Sequence, residues 1–201
     1  MRSIQLSDWK IAFAATGLIG ILLFASPTLA IFIKPQLSQQ FSQLYVLGPN
    51  QTLDNIPYNI VRGVRYLLYI GVGNELGFSN FYSVHVKIAG QNESLPNRSL
   101  GLSSPLPELY ISNIFLQNEA VWQAPFTFQV KDLSFTNGKC TMNSINLNGV
   151  DYSVSKTSSW DSEKQGYFFN LIIELWIYNS TLGYSQYHNR SISLRLNMTS
   201  S

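Results

Sequence analysis

The uncharged run at residues 11–33 constrains this chain more than any other feature of its sequence. It reads IAFAATGLIGILLFASPTLAIFI, 23 residues without an ionisable side chain. As an α-helix the run would be about 34 Å long, which exceeds the hydrocarbon core of a bilayer at about 30 Å. Trp9 precedes the run, and Lys10 and Lys34 bracket it, as side chains at a membrane interface do. The run therefore predicts one N-terminal transmembrane helix.

A cleaved signal peptide is the alternative interpretation of the same run. Thr28-Leu29-Ala30 resembles a small-residue cleavage site. The apolar region of a signal peptide, however, has about 7–15 residues and is shorter than this run, so we favour a retained anchor. Arg2 and Lys10 precede the run and only Lys34 follows it. This charge difference predicts that residues 1–10 are cytoplasmic.

Six N-x-[ST] triplets, the acceptors of N-linked glycans, support the same orientation. All six follow the predicted span, in polar, turn-like surroundings where glycans belong. We therefore expect residues 34–201 to lie outside the cell, attached to the cell membrane by a single span, and to carry N-linked glycans. The expected sites are Asn50, Asn92, Asn97, Asn179, Asn189 and Asn197.

Short apolar runs with a period of two follow a polar connector at residues 34–42 and predict one β-rich domain at residues 43–201. The alternation is clearest at residues 82–88, where one face is apolar and the other polar, which predicts a half-buried strand. Asn148-Gly149 lies between two such runs and predicts a hairpin with a type I′ turn. Further strands are predicted at residues 44–47, 64–72, 109–116, 126–130, 167–178 and 192–198, and polar loops at 90–107 and 155–166.

The strand pattern predicts an all-β fold, a β-sandwich of about eight or nine strands. The composition excludes some classes of function. Charged residues make up 12% of the chain and its net charge is +2, so no basic surface is available for nucleic acid. The single cysteine, Cys140, cannot form a disulfide within the chain, and we interpret it as a small buried apolar residue.

No catalytic or nucleotide-binding motif is present in the sequence. Asn74-Glu75 ends a predicted strand and could bind a cation through oxygen ligands, but we favour a structural turn. His85 and His188 could together bind a metal, but their polar surroundings favour ordinary surface residues. The sequence thus predicts no catalysis, no metal site and no cofactor.

Aromatic side chains are concentrated in the second half of the chain. Residues at alternate positions of the predicted strand 167–178 are expected to belong to the core. They are Phe169, Leu171, Ile173 and Leu175. Tyr184 and Tyr187 fall in a polar segment, which we expect to be a loop. Because exposed aromatic side chains often anchor contacts, these two tyrosines are candidate contact residues.

Four segments of the chain resemble the DUF1616 family, which is an uncharacterised, mainly archaeal family of membrane-anchored proteins. They are FSQLYVLGPN at residues 41–50, GVRYLLYIGVGNELGFSNFYSVHVKIAG at 63–90, NEAVWQAPFTFQV at 118–130 and YFFNLIIELWIYN at 167–179. Asn74-Glu75-Leu76 departs from the family, which often has an Asn-His-Glu-like triplet there. The resemblance implies an immunoglobulin-like sandwich outside the membrane and implies no reaction.

Two functions remain after these exclusions. The first is a structural or accessory subunit that binds another membrane or envelope protein, which would need an apolar patch without glycans. The second is an adhesion or glycan-binding or ligand-binding module, which would need a concave aromatic pocket. The sequence favours the first and leaves the identity of the partner open.

Overall fold

The computed structural model describes residues 9–21 and 40–198 of the 201-residue chain. The chain divides into two compact units, Met1–Gln40 and Phe41–Ser201. In the first unit, residues 9–21 are helical. Among the described residues, no helix is both long enough and apolar enough to cross a membrane. Residues 22–33 of the predicted span lie outside the described residues.

The second unit is built from strands, which confirms the all-β prediction. Ten strands occur in its described part, one or two more than the sequence predicts. They are β1 (Phe41–Leu47), β2 (Asn59–Ile60), β3 (Arg65–Glu75), β4 (Asn80–Ala89), β5 (Tyr110–Leu116), β6 (Val121–Thr136), β7 (Lys139–Leu147), β8 (Val150–Ser159), β9 (Tyr167–Asn179) and β10 (Tyr184–Met198).

The strands form two five-stranded sheets that enclose one core. The first sheet has the order β1-β3-β6-β7-β8, and the second has the order β2-β10-β9-β4-β5. All pairings are antiparallel except that of β2 with β10. This arrangement is a β-sandwich, in which inward-facing side chains of both sheets make the core.

Strand β9 shows how the sequence pattern places the core. Phe169, Leu171, Ile173 and Leu175 are fully buried, as predicted. Because side chains alternate across a strand, the residues between them face outwards from the second sheet. That outer face carries Glu174 and Trp176, and it contains the candidate site.

The predicted hairpin is confirmed. β7 and β8 are joined by Asn148-Gly149, and both residues have positive φ angles, 48° and 90°. Two positive φ angles are what a type I′ turn requires, and this turn matches the twist of the paired strands. Asn148 also accepts a hydrogen bond at Oδ1 from the backbone N–H of Thr127, 2.7 Å away, which ties the turn to β6.

Two loop predictions are wrong. Residues 155–159 belong to β8, and Tyr184–Ser191 form the first half of β10. β8 is the edge strand of the first sheet, and its residues 155–159 are all polar, so this half of the strand has no apolar alternation. The first half of β10 likewise carries mostly exposed polar residues, and there backbone pairing with β9 sets the strand.

The predicted loop at residues 90–107 packs against the outer face of the second sheet instead of standing free in water. The Ser104 N–H donates to Glu174 Oε1 at 2.6 Å, and Lys87 Nζ donates to the Ser104 carbonyl at 2.7 Å. Arg98 donates to the hydroxyl and carbonyl oxygens of Ser191 on β10. The loop therefore buries the polar face of β4, and the prediction that β4 is half-buried is wrong.

Candidate functional site

The outer face of the second sheet has a covered part and an open part. The open part begins where the loop ends, and the register of the strands fixes its composition. One row of outward side chains crosses the sheet as Phe115, Phe81, Tyr178 and Ser185. The next row is Asn113, Ser83, Trp176 and Tyr187.

A pocket of about 430 Å³ opens between these two rows. Phe81 is 58% exposed and its ring packs against that of Phe115, with a centroid separation of 4.8 Å. Such a pair presents a large apolar surface to solvent. The residues that line the pocket are Phe81, Tyr82, Ser83, Asn113, Tyr178 and Ser185.

None of the residues that line the pocket carries a formal charge at neutral pH. Its polar groups are the hydroxyls of Ser83 and Ser185, the Asn113 carboxamide and the Tyr178 phenol. Hydroxyls and carboxamides both donate and accept hydrogen bonds. Because a charged ligand would lose hydration here without an opposite charge in the lining, the pocket suits a neutral ligand with polar groups and an apolar face.

His85 lies below the pocket and is buried, so its prediction as an ordinary surface residue is wrong. Its Nε2 is 2.8 Å from Ser83 Oγ, and its Nδ1 is 2.7 Å from Oε1 of Glu108. The imidazole stacks on the Trp176 ring with centroids 4.8 Å apart and an interplanar angle of 13°. The physical reason for the burial is the covering segment that ends at Glu108.

His188 belongs to a different hydrogen-bond network and is partly buried. Its prediction as an ordinary surface residue is therefore also wrong. Its Nε2 is 3.0 Å from Ser42 Oγ. Burial lowers the pKa of His188, and the charge of Arg190 lowers this pKa further. The two histidines therefore do not share partners, and no cluster of three or more potential metal ligands occurs within residues 9–21 and 40–198.

Asn74 has a structural role that leaves its amide no free group for a cation. Its Nδ2 is within 2.8–3.2 Å of three backbone carbonyls, those of Phe78, Leu116 and Gln117. Its Oδ1 accepts from the backbone N–H of Leu76 and from the hydroxyl of Tyr82. Asn74 therefore has the structural role that we favoured, in the turn after β3, and it also joins β3 to the end of β5.

The two candidate contact tyrosines lie on β10 but differ in surroundings. Tyr184 is 57% exposed and is not among the residues that line the pocket. Tyr187 lies in the second row, with its ring 6.2 Å from that of Trp176. Its buried hydroxyl makes no hydrogen bond with the described residues. Of the two, Tyr187 is therefore adjacent to the site.

The six predicted glycan acceptors differ in accessibility. Four of them are exposed: Asn50, Asn92, Asn97 and Asn189. Asn179 is half-buried, and its Oδ1 accepts from the N–H groups of Thr181 and Leu182. Asn197 is half-buried on β10, and its Nδ2 donates to Asn59 Oδ1 at 3.0 Å. Because a glycan is attached to Nδ2, Asn197 is the least available of the six.

Cys140 is fully buried in the core, which confirms its interpretation as an apolar residue. Burial raises the pKa of its thiol to about 11. A thiol in that environment stays protonated at neutral pH and is a poor nucleophile.

The pocket residues were not predicted from the sequence, although one signal was present. Phe81, Ser83 and His85 alternate on one face of a strand that is flanked on both sides by neighbours. Such a run on a central strand, next to a long loop, indicates a covered polar face or a site. The contributions of Asn113 and Tyr178 depend on register and have no local signal.

The chain matches no family model and no curated protein, so its resemblance to the DUF1616 family stays a prediction. Among solved structures it is similar to a beta-glucosidase from Listeria innocua, with 7% identity and a TM-score of 0.33. The match covers 80% of this chain and 16% of that one. The same enzyme in complex with glucose gives 9% identity, 79% and 16% coverage and a TM-score of 0.31. Similarity this low carries no argument about function.

Proposed function

We propose that this protein is a membrane-anchored recognition module whose immunoglobulin-like sandwich lies outside the cell. Residues 11–33 are the anchor, because the run is uncharged and long enough to span a bilayer. The six glycan acceptors all follow the run, which supports an extracellular position for the sandwich. Its function is then to hold a binding site close to the membrane surface.

The observation that carries the proposed function is the aromatic pocket on the second sheet. Its volume of about 430 Å³ falls within the usual range for small-molecule sites. Phe81 and Tyr178 supply ring faces, and Ser83, Asn113 and Ser185 supply neutral hydrogen-bonding groups. A sugar ring has apolar C–H faces and a rim of hydroxyls, so the ligand class we propose is a short neutral saccharide.

Trp176 provides a spectroscopic test, because it lies in the row that includes Ser83. The full chain in detergent is titrated with a panel of neutral oligosaccharides while its intrinsic fluorescence is followed. We expect a saturable change for at least one sugar, which persists in Trp160→Phe and disappears in Trp176→Phe. A panel without any saturable response, confirmed by calorimetry, would contradict the assignment of ligand class.

A protein partner is the second candidate, because β5 is an edge strand of the second sheet. It exposes the side chains of Ile111 and Phe115. Such an edge can accept a strand from another protein. Gentle purification from the native membrane would then recover a partner with the wild-type chain, and an Ile111→Lys variant would lose it. Loss in Tyr178→Ala but not in Ile111→Lys would assign the contact to the pocket instead.

A further inference from the structure

Three side chains beneath the pocket form a continuous hydrogen-bonded series. Ser83 Oγ lies 2.8 Å from His85 Nε2, and His85 Nδ1 lies 2.7 Å from Glu108 Oε1. Ser83 and His85 are both outward residues of β4, two positions apart, and Glu108 comes from the segment just before β5. The order is hydroxyl, imidazole and carboxylate, with one ring nitrogen facing each neighbour.

The chemistry of the three groups determines which atom donates and which accepts in each hydrogen bond. An ionised carboxylate only accepts hydrogen bonds, so His85 donates its Nδ1–H to Glu108. In the neutral ring Nε2 is then the acceptor, and it faces the hydroxyl of Ser83. This is the arrangement by which a serine is activated as a nucleophile: a base receives its proton, and a third group orients the base.

The ring of His85 is held in this orientation by its surroundings. It stacks almost parallel on Trp176, and the side chain is only 10% exposed. Glu108 is 34% exposed, so water reaches the carboxylate side of the series. At the other end, Ser83 lines the open pocket. A reacting group bound in the pocket would therefore meet the hydroxyl end.

Asn113 occupies the other side of Ser83. Its carboxamide oxygen lies 2.9 Å from Ser83 Oγ, and the single hydroxyl proton cannot serve both this oxygen and His85. A half-turn of the carboxamide places its NH₂ group at that position. The amide then donates a hydrogen bond to Ser83 Oγ, and the hydroxyl proton is free to point at His85 Nε2.

We propose that Ser83 is a catalytic nucleophile that removes a small acyl group from an ester of the bound ligand. This inference rests on the proposed function, because the same pocket receives the ligand. The substrate class is an O-acyl ester of a neutral alcohol or sugar. His85 is the general base, and Glu108 and Asn113 are positioning residues that orient the imidazole and the Ser83 hydroxyl.

The reaction balances without a cofactor. Ser83 Oγ attacks the ester carbonyl carbon as its proton passes to His85 Nε2. The C–O bond to the alcohol breaks, and His85 returns that proton to the departing alcohol. Water then attacks the acyl-serine and loses a proton to His85. The bond between the acyl carbon and Ser83 Oγ breaks, His85 returns the proton to Oγ, and the carboxylic acid leaves.

A fluorophosphonate probe tests the proposal on the full chain in detergent. We expect one adduct, located on Ser83 by peptide mass spectrometry, and turnover of p-nitrophenyl acetate above the uncatalysed rate. Ser83→Ala should abolish both, and His85→Gln should lower the labelling rate by about 10²–10⁴-fold, the usual contribution of a general base. Ser193→Ala is the matched control, because Ser193 is exposed on the same sheet outside the pocket.

Ser83→Cys is a second variant that tests the proposal even if Ser83→Ala does not fold. Its new thiol should be alkylated by iodoacetamide at pH 6.5 at least tenfold faster than in Ser83→Cys/His85→Gln, since His85 favours the thiolate. Labelling of other serines at the same rate as Ser83, or equal alkylation with and without His85, would overturn the proposal. Saccharide binding without any adduct would overturn it and leave the recognition function standing. An adduct without saccharide binding would support it and overturn the assigned ligand class.

Discussion

Lys87 and Glu174 form an ion pair on the outer face of the second sheet that is almost completely buried. Nζ and Oε2 are 3.0 Å apart, and the side chains are 3% and 0% exposed. Ser104 bonds both partners through its backbone, accepting from Lys87 and donating to Glu174. The pair therefore fixes the loop over the sheet.

Breaking this ion pair should destabilise the protein strongly. Glu174→Leu leaves the Lys87 ammonium buried without its counter-charge, which typically costs about 3–5 kcal/mol. The double variant Lys87→Met/Glu174→Leu removes both charges and should recover most of that loss. Urea unfolding followed by near-ultraviolet circular dichroism measures the free energies of unfolding.

The more exposed pair Lys164–Asp161 is the control, and Lys164→Met should cost less than about 1 kcal/mol. If Glu174→Leu alone also cost less than about 1 kcal/mol, the stabilising role of the Lys87–Glu174 pair would be refuted.

His188 should make the stability depend on pH. Burial and Arg190 lower the pKa of His188 in the folded state, below the unfolded value of about 6.5. The unfolded state thus binds the proton first, so this contribution to stability is present above about pH 6.5 and is lost as pH falls towards the folded pKa. Urea midpoints between pH 7.5 and 5.5 should decline in the wild type and decline less in His188→Gln. Equal slopes for the two proteins would contradict this.

Cys140 should resist modification in the native state. The thiol is buried and burial raises its pKa to about 11, so both access and thiolate are lacking. We expect iodoacetamide at pH 8 to leave Cys140 unmodified for hours and to modify it within minutes in 6 M guanidinium chloride. Intact-mass spectrometry measures the fraction modified. Rapid stoichiometric labelling of the native protein would show that the core around β7 opens.

Glycan occupancy should follow accessibility among the six acceptors. Asn92 and Asn97 are exposed, and we expect both to carry glycans in native material. Asn197 is half-buried and its Nδ2 is hydrogen-bonded to Asn59, so we expect it to be unmodified. Glycopeptide mass spectrometry measures each site separately. Full occupancy at Asn197 with Asn92 bare would contradict the accessibility argument, and six bare sites would weaken the extracellular orientation.

Local sequence patterns were sufficient to predict strands with apolar residues at alternate positions and a turn with a characteristic pair of residues. The burial of Phe169, Leu171, Ile173 and Leu175 follows from alternation. The Asn148-Gly149 turn follows from two residue types that tolerate the positive φ angles found there. The second half of β8, residues 155–159, and the first half of β10 were missed because their polar residues give no apolar period. In such strands the backbone pairing sets the structure, and single-sequence patterns do not report pairing.

The candidate site was less predictable because long-range contacts create it. His85 looks like a surface residue until the chain brings Glu108 to it, 23 positions later. The burial of Glu174 depends on Ser104, 70 positions away. Asn113 and Tyr178 meet beside Ser83 only through the register of three strands. Alternation could have grouped Phe81, Ser83 and His85, but it could not have supplied their neighbours.

The most direct test of the recognition site compares two exposed phenylalanines, one from each sheet. Phe81 is in the pocket, and Phe135 is exposed on β6 of the first sheet. The dissociation constant of the tightest saccharide in the panel is measured by calorimetry for the full-length wild type, Phe81→Ala and Phe135→Ala. We predict at least tenfold weaker binding for Phe81→Ala, which corresponds to about 1.4 kcal/mol, and an unchanged constant for Phe135→Ala. Equal constants for all three proteins would contradict the assignment of the pocket as the binding site.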